Sequence, residues 1–543
     1  MSNSQNTPQT YDAVVVGAGV AGLYSLYRLR EDLGKKVICF ETGSNVGGTW
    51  YWNRYPGART DSQCMEYQYW FSKELLEEWD WSERYVAQPE SERYLQHVAE
   101  KFDLYKDIRF NTRVDKAVYD EANKVWHITT DNGDIVDAQH FVCCVGMLSA
   151  AAALETPFPG KENFKGMVCH TARWPKQPVD FTGKRVGVVG TGATGIQVIQ
   201  SIAGDCKQLT VFQRTPNYTI AMRNPELNKA DNDKLRAEYD DVAQRVHTTF
   251  GGTEYSFDFG SFYDHTPEER RAIYEKLWKD GSLKLWVGSF QEEFLDDAAN
   301  AEMSAFVREK MRESINDPEL ADKLIPEDYA FGNRRVPLNT GYLEAFNRDN
   351  VDLIDVKSDP IECITEKGLK LASGKEYEMD ILVLATGFAA GTGAFTAIDI
   401  HGRGDKTLKD KWNEDVRSTL GLQVSGFPNL FTVGAPLAPS TALCNMYTCL
   451  QQQSDWIADA IGYMGEHGYQ TMEPTQAKED AWVQHHDEIA NTTIMSRTAS
   501  WYTGANVNGG KVGRLLSYIG GNVLYEQQCD ELTENGYEGF DLA

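Results

Sequence analysis

The sequence predicts an α/β fold built on two dinucleotide-binding units with a helical insertion, and three observations carry that prediction. An apolar, β-branched run near Tyr11–Val16 leads into Gly17-Ala18-Gly19-Val20-Ala21-Gly22 and then into a helical pattern. The same order returns over 183–203, around Gly190, Gly192 and Gly195. Residues 222–330 are charged and helix-like, and the strand-like runs 351–356 and 380–387 then resume the α/β pattern. The chain has 543 residues, room for three or four domains at roughly 150 residues each.

Strand, GxGxxG turn and helix together make a Rossmann-like unit. The first glycine allows the tight turn, the second lets backbone approach a pyrophosphate, and the third lets helix and strand pack closely. The helix N-terminus then faces the anion. In the first unit a second run, 35–41, ends in Glu41; in the other, 208–214 ends in Arg214. Each stands 24 residues past the first glycine of its unit. An acid there accepts hydrogen bonds from ribose hydroxyls and repels a phosphate, whereas Arg offers a fork to a 2′-phosphate. The first unit therefore reads as an FAD site and the second as an NADPH site. Two dinucleotides on one chain imply electron flow between them, with the protein positioning the nicotinamide, the isoalloxazine and a third reactant.

Composition narrows the class. The formal net charge is −27, from 53 basic and 80 acidic residues, which argues against nucleic acid or anionic membranes as partners. The longest mainly apolar run, 141–154, is shorter than the ~18 residues of a membrane helix. The polar start, MSNSQNTPQT, lacks the apolar core of a secretory signal. A cytoplasmic protein is expected, a monomer or weak oligomer. The ten cysteines are expected to be buried free thiols, with no zinc-ligand spacing and no redox pair poised at the flavin. No metal site is expected.

Further segments select a family. Phe164, Gly166, His170, Trp174 and Pro175 fit Phe-x-Gly-x-x-x-His-x-x-x-Trp-Pro, and Gly47, Gly48, Trp50, Tyr55, Pro56, Gly57 and Asp61 fit Gly-Gly-x-Trp-x-x-x-x-Tyr-Pro-Gly-x-x-x-Asp. With both GxGxxG units in order, and with FQRTPNY, LATGF, FNRDNV, SWYTGANV and GYEGF further on, the chain after residue 10 resembles the type I Baeyer–Villiger monooxygenases. That resemblance implies an FAD domain in two parts, 1–145 and 388–543, and an NADP domain in two parts, 146–221 and 331–387, carrying the helical insertion 222–330. It implies NADPH reducing the flavin, molecular oxygen adding to give a C4a-peroxide, and that oxygen inserting into a ketone to give an ester or lactone.

The resemblance also assigns residues. Arg335, in GNRRVPL, takes the place of the family's catalytic cation, which must keep the peroxide anionic; Arg suits this because it does not give up its proton. Asp61 matches the acid that orients it. Gly17, Gly19, Ala21, Gly22, Glu41, Gly48, Thr49, Trp50, Tyr67, Val114 and Met446 fall at FAD positions. Arg59, Thr60, Thr191, Gly192, Ala193, Thr194, Gly195, Gln197, Arg214, Thr215 and Arg334 fall at nicotinamide-nucleotide positions. Trp501 matches a residue on a loop that closes over NADP. The chain departs from the family at Ala389, Asn508, Ala435 and the segment 146–160, which holds small residues; the loops near 146–150 and 435–446 line the substrate pocket in relatives.

Three rivals stand beside this reading. A flavin-dependent N- or S-hydroxylase shares both nucleotide sites but typically lacks Trp174-Pro175. A disulfide reductase needs a redox cysteine pair, and a non-catalytic dinucleotide sensor needs neither Arg335 nor Asp61. His170 has no partner ligand at metal spacing. Gly166, His170 and Trp174 are expected to couple the two nucleotide domains as a joint.

Overall fold

A computed structural model describes residues 9–543. Two sheets organise it. The first runs in the order Asp399–His401, Val114–Asp120, Val125–Thr130, Ile135–Cys143, Gln9–Val16, Val37–Phe40, Ile108–Arg109, with Leu430–Thr432 also pairing with Ile135–Cys143. Its centre is parallel, Gln9–Val16 lying between Val37–Phe40 and Ile135–Cys143. Helices and loops cover both faces there, so Ala13, Val14, Val15, Cys39, Phe141 and Val142 are all fully buried or nearly so. A parallel strand buried on both faces reads as an unbroken apolar run rather than an alternating one. Val114–Asp120 and Val125–Thr130 form an antiparallel hairpin with Trp126 sealed beneath it.

The second sheet has five parallel strands: Val351–Asp355, Gln208–Gln213, Arg185–Val189, Ile381–Leu384 and Met167–His170. The chain thus enters this sheet at its edge, and the segment around His170, expected to couple the two nucleotide domains, forms that edge strand. Gly166, just before it, is hemmed by the Asp380 carbonyl and the Phe164 ring.

Between the sheets' chain segments sits the helical region. Asn228 and Thr266 cap the helices Lys229–Thr248 and Pro267–Asp280, each with the reciprocal third-residue acid of a capping box, so the expected start at Thr266-Pro267-Glu268 is where the helix begins. The ends of this region are clamped by a two-strand parallel pairing, Ile220–Ala221 with Leu338–Asn339. That pairing brings Asn333, Arg334 and Arg335 back beside the nucleotide units. Among the described residues, no helix is long and apolar enough to cross a membrane.

Candidate active site

The two phosphate-binding turns form as their sequences predict. Gly17 and Gly190 have φ of +99° and +106°. A side chain on Gly22 or Gly195 would overlap the carbonyl of the first glycine of its own motif, so the helices Val20–Tyr27 and Ala193–Ile202 sit directly on their strands. Gly19 and Gly48 face each other backbone to backbone, leaving a cleft only main chain borders, and Thr49 and Trp50 begin the short helix that follows. Ala21 is buried in the first turn of its helix. Ala193, Thr194 and Gln197 lie on the helix of the second unit, with Gly192 as its cap.

Glu41 is where the spacing puts it, but it has more to do than meet a ribose. Its Oε2 accepts from the Ala18 amide at 2.8 Å and its Oε1 from the Gly43 amide at 2.6 Å. Burial raises its pKa, while those two amides oppose the rise. Each carboxylate oxygen keeps a lone pair for a sugar hydroxyl, so an FAD ribose fits. Thr112 donates its amide to the Glu41 carbonyl at 3.0 Å, which carries the chain to Val114 on the first sheet.

In the second unit, Arg214 is exposed at the end of its strand. Arg334 donates to the Ala499 carbonyl at 3.0 Å and lies over the Tyr329 ring, and its buried Nε has no partner. Burial lowers the Arg334 pKa, and the nearby Arg214 adds to that. Two neighbouring cations, one with an orphaned donor, suit a dianionic phosphate. A cavity of about 520 Å³ opens there, lined by Thr215, Arg334, Asn333 and Tyr329 among others, and Thr191 Oγ1 donates to the Thr215 carbonyl at 2.9 Å. The residues present fit FAD and NADP.

Arg335 and Asp61, 274 residues apart, meet in a forked ion pair: Nη2 to Oδ1 is 2.5 Å and Nε to Oδ2 is 3.2 Å. The remaining arm, Nη1, donates to the Thr441 carbonyl at 2.7 Å. The guanidinium lies over the Trp286 ring, 5.5 Å from its centroid. Burial works against its charge, but Asp61, together with Tyr502 and Tyr255, offsets it and the net pKa is raised. This is a cation that stays charged, held from two sides and backed by an aromatic face. Tyr67 stands close by, edge-on to Trp50 and Tyr447; burial raises its pKa. A second, very small cavity of about 10 Å³ is lined by Met147, Ala390, Pro436, Ser440, Trp501 and Tyr502, among others. Its walls include both loops expected to border a substrate. The Tyr502 hydroxyl is buried without a partner.

Other expected contacts are placed differently or more fully. Arg59 binds Glu83 at 3.1 Å and the Tyr85 carbonyl at 3.2 Å, so its guanidinium is tied to protein, while its own carbonyl accepts from Gln197 at 3.2 Å. Thr60 is buried with an unpartnered hydroxyl. Gly57, at φ +79°, lies against Ser201 and the Gln197 carbonyl, and Tyr55 donates to Gln197 Oε1 at 3.0 Å. The aromatic loop beside the first unit is therefore docked on the helix of the second. His170 uses both nitrogens: Nδ1 accepts from the Ala172 amide at 3.2 Å, and Nε2 lies 3.0 Å from the Leu154 carbonyl. With Nδ1 accepting, Nε2 carries the proton, and burial keeps the ring neutral by lowering its pKa. Trp174 is buried beside Phe181.

One expectation is overturned. Cys444 and Cys449, spaced CxxxxC, have their sulfurs at bonding distance, whereas the other eight cysteines are free. The spacing was visible in the sequence; their position at the start of the helix Met446–His467, beside Met446, was not.

Comparison with known proteins gives this geometry its context. A flavin-binding monooxygenase-like family profile matches residues 11–226. The acetone monooxygenase (methyl acetate-forming) of Gordonia sp. is 51% identical, over 98% of this chain and 99% of its own. A Baeyer–Villiger monooxygenase of Pseudooceanicola batsensis is 38% identical, over 98% of this chain and 97% of its own. The crystal structure of OTEMO complexed with FAD and NADP superposes with a TM-score of 0.94 at 39% identity, covering 99% of this chain and all of that one. The chain belongs to the Baeyer–Villiger monooxygenases. It is an FAD- and NADPH-dependent flavoprotein monooxygenase of ketones, with two Rossmann-like domains and a helical insertion. The residue that reasoning from sequence missed in this Baeyer–Villiger site is Thr441, whose carbonyl anchors Arg335; a main-chain oxygen leaves no mark in side-chain chemistry.

Proposed function

We propose that this enzyme oxygenates small, short-chain ketones to esters, with Arg335 as the catalytic cation and Asp61 as its positioning partner. The observation that carries the chemistry is the forked Arg335–Asp61 pair, held from its other side by the Thr441 carbonyl. The acetone-oxidising relative supports the size class. When bound, FAD takes electrons from NADPH and activates molecular oxygen. Arg335 then stabilises negative charge on oxygen next to the ketone, Asp61 and Thr441 hold its guanidinium, and Trp501 and Tyr502 keep water out of the cavity.

The expected cofactor contacts stand within the same proposal: residues of the first unit, with Tyr67, Val114 and Met446, hold FAD; those of the second unit, with Arg214, Thr215, Arg334 and Trp501, hold NADP. So does the domain parse at 145/146, 221/222, 330/331 and 387/388, supported by the strand membership of the two sheets. Gly166, His170 and Trp174 act as a brace: His170 ties the edge strand to Leu154, a short way past the 145/146 boundary. A cytoplasmic monomer or weak oligomer completes the reading.

The test is a product panel. With NADPH and O2, acetone and butanone should give acetate esters faster than cyclic or aryl ketones, read by gas chromatography and mass spectrometry. Esters from bulky ketones but none from acetone would sink the size class; N- or S-oxides with no ester would sink ketone oxygenation.

A further inference from the structure

Cys444 and Cys449 occupy a structurally defined pair of positions. Asn445 caps the helix Met446–His467, its Oδ1 accepting from the Tyr447 amide. Cys444 is therefore the residue before the cap and Cys449 the fourth residue of the helix. Those two positions are where side chains commonly pack to fix the angle at which a chain approaches a helix. Here the two that meet there are thiols at bonding distance, so the staple can be covalent. Cys449 is fully buried, while Cys444 is half-buried and so open to a small reagent.

The angle matters because of what the approaching segment carries. Residues 436–441 border the small cavity beside Trp501 and Tyr502 through Pro436 and Ser440 and hold Arg335 through the Thr441 carbonyl. The Cys444 amide donates back to the Ser440 carbonyl at 3.0 Å, so a shift at Cys444 is passed to Ser440 and Thr441. The same corner is tied to the helical insertion: the Asn445 amide donates to the Gly251 carbonyl at 2.8 Å and Thr448 Oγ1 to the Gly252 carbonyl at 2.9 Å. Those contacts bind the helix side of the staple. The loop side, 441–444, has the disulfide as its covalent tie.

We propose that Cys444–Cys449 is a reversible redox-modification site that sets how tightly the Thr441 loop holds Arg335. This rests on the assignment of Arg335 made above. The oxidant is hydrogen peroxide, the product when NADPH and O2 are consumed without oxygenating a ketone: NADPH + H⁺ + O2 → NADP⁺ + H2O2. Peroxide takes two electrons from the dithiol, the S–S bond forms, the O–O bond breaks, and the two thiol protons leave in two waters. A cellular thiol reverses this by attacking the Cys444 sulfur and resolving the mixed disulfide with a second thiol. The loop is then self-correcting: a slack staple leaks peroxide, and peroxide closes the staple.

The experiment uses the FAD-loaded full chain. After dithiothreitol and desalting, both Cys444 and Cys449 should alkylate when the protein is then unfolded in guanidinium containing N-ethylmaleimide; after brief hydrogen peroxide, neither should, and peptide mass spectrometry should find them cross-linked. The fraction of NADPH recovered as ester should be about twofold higher in the oxidised form, with correspondingly less peroxide released. Cys444→Ser should leave Cys449 unlinked and coupling at the reduced level, whatever the peroxide treatment. Both cysteines still alkylating after peroxide, or a cross-link that native dithiothreitol treatment never opens, would overturn a reversible site. A cross-link that opens and closes with unchanged coupling would overturn its control of Arg335. Should Arg335→Ala still make ester while the wild type's coupling follows the redox state, the staple stands and the Arg335 assignment falls.

Discussion

At the residue scale, the site depends on a cation that cannot lose its proton and cannot turn. Arg335 has three donors in use, two on Asp61 and one on the Thr441 carbonyl. Arg335→Lys keeps charge but offers no planar fork, and Arg335→Ala removes both. Arg335→Ala should still let NADPH bleach the flavin absorbance, yet lower ester formation by about 100-fold or more, the scale of losing a charge-stabilising donor. Wild-type ester yield in that variant would refute the assignment. For Arg214→Ala, KM for NADPH should rise about tenfold or more while KM for NADH stays nearly constant, because a lost charged hydrogen bond costs about 1.5–3 kcal/mol only when the phosphate is there. Equal effects on the two nucleotides would remove Arg214 from the 2′-phosphate. Both residues could be named from sequence, Arg214 by its place opposite Glu41 and Arg335 by resemblance. Trp286 and Thr441, which hold Arg335, could not, since neither lies in a motif.

Among elements, the decisive contact is the aromatic loop 47–61 against the helix Ala193–Ile202. Gly57 is in the left-handed region and touches Ser201 and the Gln197 carbonyl; Tyr55 and Gln197 lock the same face. Gly57→Ala adds a methyl where backbone already stands, so it should lower stability by about 1–3 kcal/mol and loosen the docking of one unit on the other. Thermal unfolding should shift down by several degrees, with KM for NADPH raised and FAD retention unchanged. A variant with wild-type melting and KM would show that the loop does not depend on this approach. Sequence reading placed the motif beside the flavin; it did not show that the Tyr-Pro-Gly part faces the other nucleotide's helix, because that contact joins residues some 140 apart. Likewise, that the joining segment around His170 forms an edge strand was not legible. A four-residue strand of Met-Val-Cys-His carries too little pattern to announce itself.

For the whole molecule, acidity and burial set the response to pH. Burial raises Glu293 to about 8, with Tyr274 and Ser289 donating to its two oxygens, and raises Glu66 to about 7. A carboxyl whose folded pKa lies above its ordinary 4.5 binds more protons folded than unfolded. Its stabilising contribution is full below that ordinary value and is lost as pH rises through the folded pKa. The melting temperature should therefore fall between pH 5 and 8, and Glu293→Gln, which keeps the shape without the charge, should flatten that fall. An identical pH profile for wild type and Glu293→Gln would show that Glu293 stays protonated throughout or titrates normally. No sequence pattern flags these two acids among the 80 acidic residues; only enclosure distinguishes them.

By itself, the sequence determined the two nucleotide units, their order, and the acid and base that tell the two apart. These are local matters: glycine conformations, a strand running into a helix, and a charge at the strand's end, all settled within about thirty residues. The tertiary structure alone decided what brings residue 61 to residue 335, and that Cys444 and Cys449 meet across a helix cap beside the loop that holds Arg335. Those follow from packing between distant segments, where each contact depends on every element placed before it.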